Sequence, residues 1–255
     1  MPVLIGFEYI KYRWKAKGRH GIHSPFVYDF LDNCLRIKID SKDVKALQEL
    51  FSQLRADHRT FTIDDFGAGS KKLGAKRKVS RLLKMSSSKG KYGKLLYQLS
   101  KHYQFKKSLE FGTSIGIGTM YLSLGTNDGE LTTIEACKNT REIALENIKQ
   151  HSNVTSILST FDAFLETQID EKYDFIFIDG HHEGEALLRY LDRLKEFTHD
   201  DTIFVLDDIR WSQSMLDAWT SIIESSEYHV TLDLFRIGII VRRSQQVKEH
   251  FYLKL

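Results

Sequence analysis

The 255-residue sequence contains two prolines, two cysteines and no long hydrophobic run. So little proline excludes a proline-rich linker, and the lack of about 18 consecutive apolar residues argues against a transmembrane helix. The segment from Met1 to Arg19 does not have the charged, apolar and small-residue order of a signal peptide. Cys34 and Cys137 are too few for a disulfide framework, so we expect two small buried side chains in a protein of the reducing cytoplasm.

Acidic residues are absent from one stretch, the basic segment 71–107, which contains thirteen Lys and Arg residues. The whole chain has a formal net charge of +3, so subtracting these thirteen cations leaves the remainder at −10. Such asymmetry is expected of a solvated helix face, or of a surface that binds an acidic partner. RNA, a phosphorylated sugar, a nucleotide-linked metabolite and an anionic membrane are the candidate partners, although no known RNA-binding module is recognisable.

Before residue 105 the hydrophobic pattern is mostly helical, so we predict a helical N-terminal extension over residues 1–104 that includes the basic segment. The glycine-rich stretch 65–70 has no strand–helix unit around it and is predicted to be a flexible loop or lid. The polar stretch 18–25 could dock on a pocket, and its role stays open. The helices expected in the extension are Val27–Leu35, Val44–Leu54 and Leu95–Tyr103.

From residue 105 onward, short apolar runs alternate with helical patterns. This alternation predicts a parallel sheet with helices on both faces and right-handed crossovers. The last two runs, Tyr228–Leu234 and Ile237–Arg242, are separated only by Phe235 and Arg236. No helix fits between them, so they are predicted to form an antiparallel hairpin. The strands expected before the hairpin are Ser108–Phe111, Leu131–Ile134, Val154–Leu158, Phe175–Ile178 and Ile203–Leu206.

A glycine-rich turn follows the first of these strands. The segment Leu109–Thr119 places Gly112 and Gly116 between a strand and a helix, where the backbone can turn tightly and approach a nucleotide. Glu135 ends the second strand, 25 residues after Glu110. That is close to the offset expected for an acid that accepts hydrogen bonds from ribose hydroxyls. The turn alone is weak evidence, but together with Glu135 it predicts a nucleotide-like cofactor.

Residues 105–243 resemble class I S-adenosylmethionine-dependent methyltransferases, whose first motif is the Glu-x-Gly-x-x-x-Gly pattern at Glu110, Gly112 and Gly116. The resemblance implies an α/β, Rossmann-like, doubly wound sheet of seven mostly parallel strands with an antiparallel C-terminal hairpin, in a domain over residues 105–255. It also implies S-adenosylmethionine as cofactor. The residues expected to bind it are Glu110, Gly112, Thr113, Ser114, Gly116, Thr119, Glu135, Ala136, Thr160, Phe161 and Asp179.

Carboxylates follow the fourth and fifth predicted strands. Asp179 begins an Asp-Gly-His-His stretch, and Asp207 and Asp208 come directly after the next strand. Because parallel strands end at one edge of a sheet, we expect these three carboxylates there, where Mg²⁺ would relieve their repulsion. Such a metal could hold a substrate hydroxyl and ease its deprotonation, with His182, or its competitor His181, as general base.

This second pattern is similar to the metal-dependent O-methyltransferases of the catechol and macrocin types. In that resemblance Asp179, Asp207 and Asp208 are the metal ligands, and His182 and Asp179 are catalytic. The resemblance therefore implies Mg²⁺-assisted methylation of a hydroxyl group on a small substrate, which could be anionic.

Three other functions stay open from the sequence. An RNA methyltransferase would use the basic segment 71–107 to bind RNA, and a non-catalytic protein would keep the cofactor fold without the reaction. A nicotinamide-dependent oxidoreductase is disfavoured by the departure from Gly-x-Gly-x-x-Gly and by the terminal hairpin. The acceptor and its pathway stay open, as does assembly as a homodimer.

Overall fold

The computed structural model of the protein describes residues 2–16, 18, 23–63, 75–86, 88–167 and 171–255. The helices in these residues are α1 Pro2–Lys15, α2 Pro25–Asp32, α3 Ser41–Ala56, α4 Val79–Met85, α5 Lys91–Tyr103, α6 Ile117–Gly125, α7 Lys138–Ile148, α8 Phe161–Leu165, α9 Gly184–Leu194 and α10 Gln213–Glu224. The strands are β1 Thr60–Ile63, β2 Ala75–Lys78, β3 Lys107–Phe111, β4 Glu130–Glu135, β5 Val154–Leu158, β6 Tyr173–Ile178, β7 Thr198–Leu206, β8 Val230–Asp233, β9 Gly238–Val241 and β10 Glu249–Tyr252.

The chain divides into two compact units, which are described separately: His23–Phe164, and Met1–Ile22 together with Leu165–Leu255. In the first unit β3, β4 and β5 are neighbours in a parallel arrangement, with α6 following β3 and α7 following β4. Strands β1 and β2 form a separate antiparallel pair. The predicted alternation of parallel strands and helices is therefore confirmed in this unit.

Helix α5 of the first unit packs tightly on α6. A Cβ atom built at Gly93 would lie 2.2 Å from the Tyr121 ring, and one at Gly125 would lie 2.6 Å from the Tyr97 carbonyl oxygen. The same face of α5 is tied to α3, because the Tyr97 hydroxyl donates to Asp43 Oδ2 at 2.9 Å. Close approach of two helices depends on small side chains at the contact, so glycine is required at both positions.

The second unit contains the strand order β10-β8-β9-β7-β6. Strands β6 and β7 are parallel, whereas β9 is antiparallel to both β7 and β8, so the predicted C-terminal hairpin is confirmed. The predicted count of seven strands is too low by one. The additional strand β10 pairs in parallel with β8. Its sequence, Glu-His-Phe-Tyr, is short and only half-buried, so its pattern did not predict a strand.

Strands β6 and β7 have almost unbroken apolar sequences because they are interior strands covered on both faces. Phe175, Ile176 and Phe177 are at most 1% exposed, and Val205 and Leu206 are fully buried. Burying each such side chain stabilises the fold by about 1.5–3 kcal/mol. This burial gives the two strands a rigid shared edge, which positions the polar residues that follow them.

Helix α1 belongs to the second unit and packs on its C-terminal elements. The buried Tyr12 hydroxyl donates to the Leu253 carbonyl, and the rings of Tyr9 and Tyr12 lie 5.0 and 5.3 Å from the Phe235 ring. Phe235 lies in the turn between β8 and β9, so α1 holds that turn in place. The domain boundary predicted between residues 104 and 105 stays a prediction.

The basic segment is described at residues 75–86 and 88–107, where it spreads over β2, α4, α5 and β3. Two of its cations have internal partners: Lys101 pairs with Asp40 at 2.9 Å, and Lys89 donates to the Leu83 carbonyl at 2.9 Å. An RNA or other acidic partner for this segment stays a prediction. The glycine-rich stretch 65–70 and residues 19–22 of the polar stretch 18–25 lie outside the described residues.

Two expectations from composition are confirmed. Cys34 and Cys137 are buried free cysteines, as expected of small core side chains. Among the described residues, none of the helices has the length and apolar character needed to cross a membrane. The cytoplasmic location stays a prediction.

Candidate functional site

The predicted cofactor residues surround the turn between β3 and α6. Gly112, Ser114 and Gly116 have φ values of 105°, 49° and 83°, which lie in the region that favours glycine. The backbone amides of Gly112 and Thr113 both donate to the Ile134 carbonyl at the end of β4, at 3.0 and 3.2 Å. The turn is therefore fixed by the neighbouring parallel strand, and α6 begins directly after it.

Glu135, at the end of β4, holds this turn by two backbone contacts. Its carboxylate accepts hydrogen bonds from the Ser114 amide and from the Cys137 amide, each at 2.9 Å. The half-buried Glu135 is thus oriented towards the turn, where a carboxylate can accept hydrogen bonds from a diol such as a ribose.

Glu110 lies inside the core beneath the turn. It is 1% exposed, and its Oε2 accepts hydrogen bonds from the hydroxyls of Thr119 at 2.5 Å and Thr133 at 2.7 Å. The Thr113 hydroxyl donates to Thr133, since the proton of Thr133 is given to Glu110. Glu110 Oε1 has no hydrogen-bond partner among the described residues, and burial raises the pKa of this carboxyl to about 7.

The remaining predicted cofactor residues of this unit lie after β4 and β5. Ala136 is half-buried directly after β4. Thr160 accepts a hydrogen bond from the Ala163 amide at 3.2 Å and so caps α8. The Phe161 ring stacks on Phe111 at a centroid distance of 4.5 Å. The structure therefore brings these residues to the carboxyl-terminal ends of the parallel strands, while their contact with a cofactor stays a prediction.

The second unit brings together the predicted chemical residues. Asp179 follows β6, and Asp207 and Asp208 follow β7, whose register pairs Ile178 with Leu206 at the last position. The Asp207 amide donates to the Ile178 carbonyl at 3.0 Å, which extends that pairing by one residue. Asp208 has a φ of 52°, a conformation that a non-glycine residue adopts only where its surroundings fix it. The predicted meeting of three carboxylates at one sheet edge agrees with this geometry.

A cation that was not predicted from the sequence lies among these carboxylates. The guanidinium of Arg236, from the turn between β8 and β9, has its Nε 2.8 Å from Asp208 Oδ1 and 3.3 Å from Asp207 Oδ1. Its Nη2 lies 3.5 Å from Asp207 Oδ2. We call Asp179, His182, Asp207, Asp208 and Arg236 the acidic cluster.

Charge and burial act in opposite directions in the acidic cluster. Burial disfavours the charged form of Arg236, but the charges of Asp207, Asp208 and Asp179 outweigh it and raise the pKa of the guanidinium. Burial, with the neighbouring charge of Asp207, raises the pKa of Asp208. Asp207 itself has a side chain only 2% exposed. The guanidinium and the carboxylates can therefore be buried together because their charges neutralise one another.

The two neighbouring histidines have different surroundings. His182 Nε2 lies 3.9 Å from both Asp179 Oδ1 and Asp208 Oδ2, and its ring is 5.9 Å from the exposed Trp211. His181 has a φ of 52°, and its Nδ1 is bonded to the Tyr190 hydroxyl at 2.7 Å. One ring nitrogen of His181 is therefore bonded to Tyr190 of α9, whereas His182 faces the carboxylates.

A buried network supports the turn that carries Arg236. The guanidinium of Arg210 pairs with Asp233 through two bonds of 2.7 and 3.0 Å, and the Trp219 indole donates to the same carboxylate at 3.0 Å. Arg210 also donates to the Phe235 carbonyl at 2.6 Å. Trp219 is thus a core residue with a structural hydrogen bond rather than the wall of a substrate pocket.

Sequence reasoning missed Arg236, although one signal for it was available. The predicted hairpin paired β8 with β9, and in the structure β9 is also the antiparallel neighbour of β7, with Gly238 opposite Leu206. A residue two positions before Gly238 must then lie beside Asp207 and Asp208. The hairpin was recognised from the sequence. The register between β7 and β9, which places Arg236 beside the two carboxylates, is known only once the strands are paired in the fold.

Comparisons with known proteins agree with this architecture. Residues 109–209 match a family model described as a methyltransferase domain, and no curated protein matches the chain significantly. A structure of a Podospora anserina methyltransferase with bound S-adenosylhomocysteine is 17% identical, with a TM-score of 0.59 over 87% of this chain and 98% of that chain. A structure of a Bacillus cereus O-methyltransferase, in complex with S-adenosylhomocysteine, is 20% identical, with a TM-score of 0.52 over 85% of this chain and 97% of that one. At such identity the likeness shows the fold, so the predicted α/β fold class is confirmed.

Proposed function

We propose that the protein is a class I S-adenosylmethionine-dependent methyltransferase that methylates a hydroxyl oxygen of a small substrate, because residues 109–209 match a methyltransferase domain. The observation that carries the proposal is the position of His182, an imidazole 3.9 Å from two carboxylates at a strand edge. An imidazole flanked by carboxylates is suited to remove a hydroxyl proton. The Bacillus cereus structure, an O-methyltransferase by description, supports the same choice of acceptor atom.

The glycine-rich turn fits the cofactor by its chemistry. Gly112 and Gly116 have no side chain at two positions of the turn, and Glu135 presents a carboxylate that the Ser114 and Cys137 amides orient. We assign the methionine part of S-adenosylmethionine to the turn and the ribose hydroxyls to Glu135. When bound, the cofactor supplies an electrophilic sulfonium methyl group, which is displaced in line by the substrate oxygen.

The protein's own residues then handle the proton. In the proposed reaction His182 takes the hydroxyl proton as the oxygen forms its bond to the methyl carbon. Asp179 and Asp208 stabilise the imidazolium that results, because each places a carboxylate oxygen near Nε2. The bond from carbon to sulfur breaks, and S-adenosylhomocysteine leaves as a neutral thioether.

The magnesium site stays a prediction, and the residues as arranged do not fit it. Within the described ranges, no group of three or more His, Cys, Asp or Glu residues is arranged to hold a metal ion. The oxygens of Asp207 and Asp208 that were expected to bind Mg²⁺ face Arg236 instead. No step of the proposed reaction depends on a metal.

Calorimetric titration of S-adenosylhomocysteine into the purified protein tests the cofactor. We expect binding in the micromolar range, with NADH as a control ligand that does not bind. An acceptor panel of catechols, sugars and phosphorylated sugars, assayed with radiolabelled S-adenosylmethionine, then tests the acceptor class. Binding of NADH alone, by folded protein, would contradict the proposal, and transfer of label to nitrogen would contradict the oxygen acceptor.

A further inference from the structure

We propose that Arg236 provides the positive charge that Mg²⁺ was expected to provide, so that the acidic cluster works without a divalent cation. In this arrangement Arg236 is a positioning residue, which acts through Asp208 on His182. The inference rests on the proposed methyl transfer for its kinetic part only. Its metal-binding part concerns the folded protein and can be measured without a reaction.

The first argument is that Arg236 occupies the carboxylate oxygens a metal would need. Its Nε contacts both Asp207 Oδ1 and Asp208 Oδ1, one oxygen from each of the two adjacent carboxylates. Mg²⁺ binds oxygen at about 2.0–2.1 Å in a near-octahedral shell. A guanidinium and a magnesium ion cannot use these oxygens together, so metal binding requires Arg236 to move away.

The second argument is that the backbone around Arg236 is fixed from three sides. The Arg236 amide donates to the Leu234 carbonyl and its carbonyl accepts from the Ile209 amide, each at 3.0 Å. The preceding Phe235 has a φ of 72° and its ring packs against Tyr9 and Tyr12 of α1. The side chain therefore starts from a rigid turn, and its guanidinium reaches the acidic cluster without a change in the backbone.

The third argument is the way Arg236 orients Asp208. One carboxylate oxygen, Oδ1, faces Arg236 Nε, whereas the other, Oδ2, faces His182 Nε2. A guanidinium N–H is directional, which a spherical ion is not, so its contact with Oδ1 favours the orientation of Asp208 in which Oδ2 faces the base. Its charge is also permanent, because a guanidinium keeps its proton at every physiological pH.

The test uses Mn²⁺ as a paramagnetic probe for hard oxygen sites, with wild-type protein and three variants. Binding of Mn²⁺ is followed by electron paramagnetic resonance, and methyl transfer is assayed with and without a chelator. We expect wild-type protein to bind no Mn²⁺ at 1:1 stoichiometry up to about 1 mM, and its activity to be unchanged by the chelator. We expect Arg236→Met to bind one Mn²⁺, because removal of the guanidinium leaves Asp207 and Asp208 without their cation.

The kinetic part separates positioning from folding. Arg236→Met should lower kcat about 100-fold while KM for S-adenosylmethionine stays unchanged, since misplacement of the base costs this order of rate. Arg236→Lys should keep the charge, bind no Mn²⁺ and recover only part of kcat, because an ammonium lacks the planar contacts. Arg242→Met is the matched control: Arg242 also pairs with a half-buried carboxylate, Glu227, at 3.2 Å, but outside the acidic cluster. It should behave as wild type.

Several outcomes would overturn the inference. Stoichiometric Mn²⁺ binding by wild-type protein, or loss of its activity in chelator, would show that Arg236 moves away from the carboxylates and a metal binds there. Unchanged kcat in a folded Arg236→Met variant would remove the positioning role. If that variant does not fold, the wild-type titration and Arg236→Lys still decide both parts. Failure of the proposed methyl transfer would leave the Mn²⁺ results intact, so the two failures are distinguishable.

Discussion

The glycine-rich turn and the acidic cluster stabilise their carboxylates in different ways. Glu135 in the turn is held by neutral backbone amides, whereas Asp207 and Asp208 in the cluster are held by the charged side chain of Arg236. A site built from backbone depends on the local fold and tolerates changes of side chain nearby. A site built from charges fails when one partner is removed, because the others remain buried without compensation.

Replacement of His182 should have the largest effect. We expect His182→Ala to lower kcat by about 100- to 10,000-fold, because a positioned general base contributes this much to the rate. The affinity for S-adenosylhomocysteine should stay unchanged, since the replaced side chain lies in the other unit from the cofactor turn. Steady-state kinetics and calorimetry check the two parts. His181→Ala is the control, and an equal loss in both variants would contradict the assignment of the base.

Glu110 should make stability depend on pH. Burial raises its pKa from the usual 4.5 to about 7 in the folded protein, so the folded state holds its proton more tightly than the unfolded state. The contribution of Glu110 to the free energy of unfolding is therefore largest below pH 4.5. It falls by about 3 kcal/mol in total as the pH rises to about 7.

Urea unfolding of wild type and Glu110→Gln at pH 5 and pH 7.5 measures this contribution. From pH 5 to pH 7.5 the free energy of unfolding of the wild type should fall relative to that of Glu110→Gln, because glutamine does not titrate. A difference between the proteins that is the same at both pH values would contradict the buried titration of Glu110.

Replacement of Glu135 should weaken the cofactor without slowing the reaction. We expect Glu135→Ala to reduce the affinity for S-adenosylhomocysteine by about 1.5–3 kcal/mol, the range for hydrogen bonds to a charged group. At saturating S-adenosylmethionine, kcat should be close to that of wild type. Glu142→Ala is a suitable control, because Glu142 is an exposed residue of α7, 4.0 Å from Lys138. A loss of kcat rather than affinity would place Glu135 in the chemistry.

The smallest effect concerns Gly116, whose φ of 83° and ψ of 15° are left-handed. A Cβ at this position would lie 3.2 Å from Ile148 Cγ2. Alanine costs about 1–2 kcal/mol there for the conformation alone. Thermal unfolding of Gly116→Ala should show a loss above this range because of the contact with Ile148. A loss within the range would mean that Ile148 adjusts without cost.

The sequence predicted the elements that depend on local pattern. The alternation of strand-like and helix-like apolar spacing predicted β3 to β7 to within a few residues. Glycine at positions 112 and 116 predicted the turn. Both signals could be recognised because each lies within a short stretch of sequence. The position of Asp179 beside Asp207 also followed from the rule that parallel strands end at one edge. Arg236 could not be recognised in this way, because its role depends on the register between two distant strands. Strand β10 was missed because four half-buried residues of mixed polarity give no periodic signal.

The contact between Tyr12 and Leu253 joins residues separated by 241 positions. During synthesis, His23–Phe164 is complete as a compact unit while the remainder of the chain is still being made. Helix α1 has its packing partners in the β8–β9 turn and at Leu253, which are synthesised long after it. Its aromatic face therefore stays unpacked until these later residues have been made, and transiently exposed apolar surface of this kind favours aggregation.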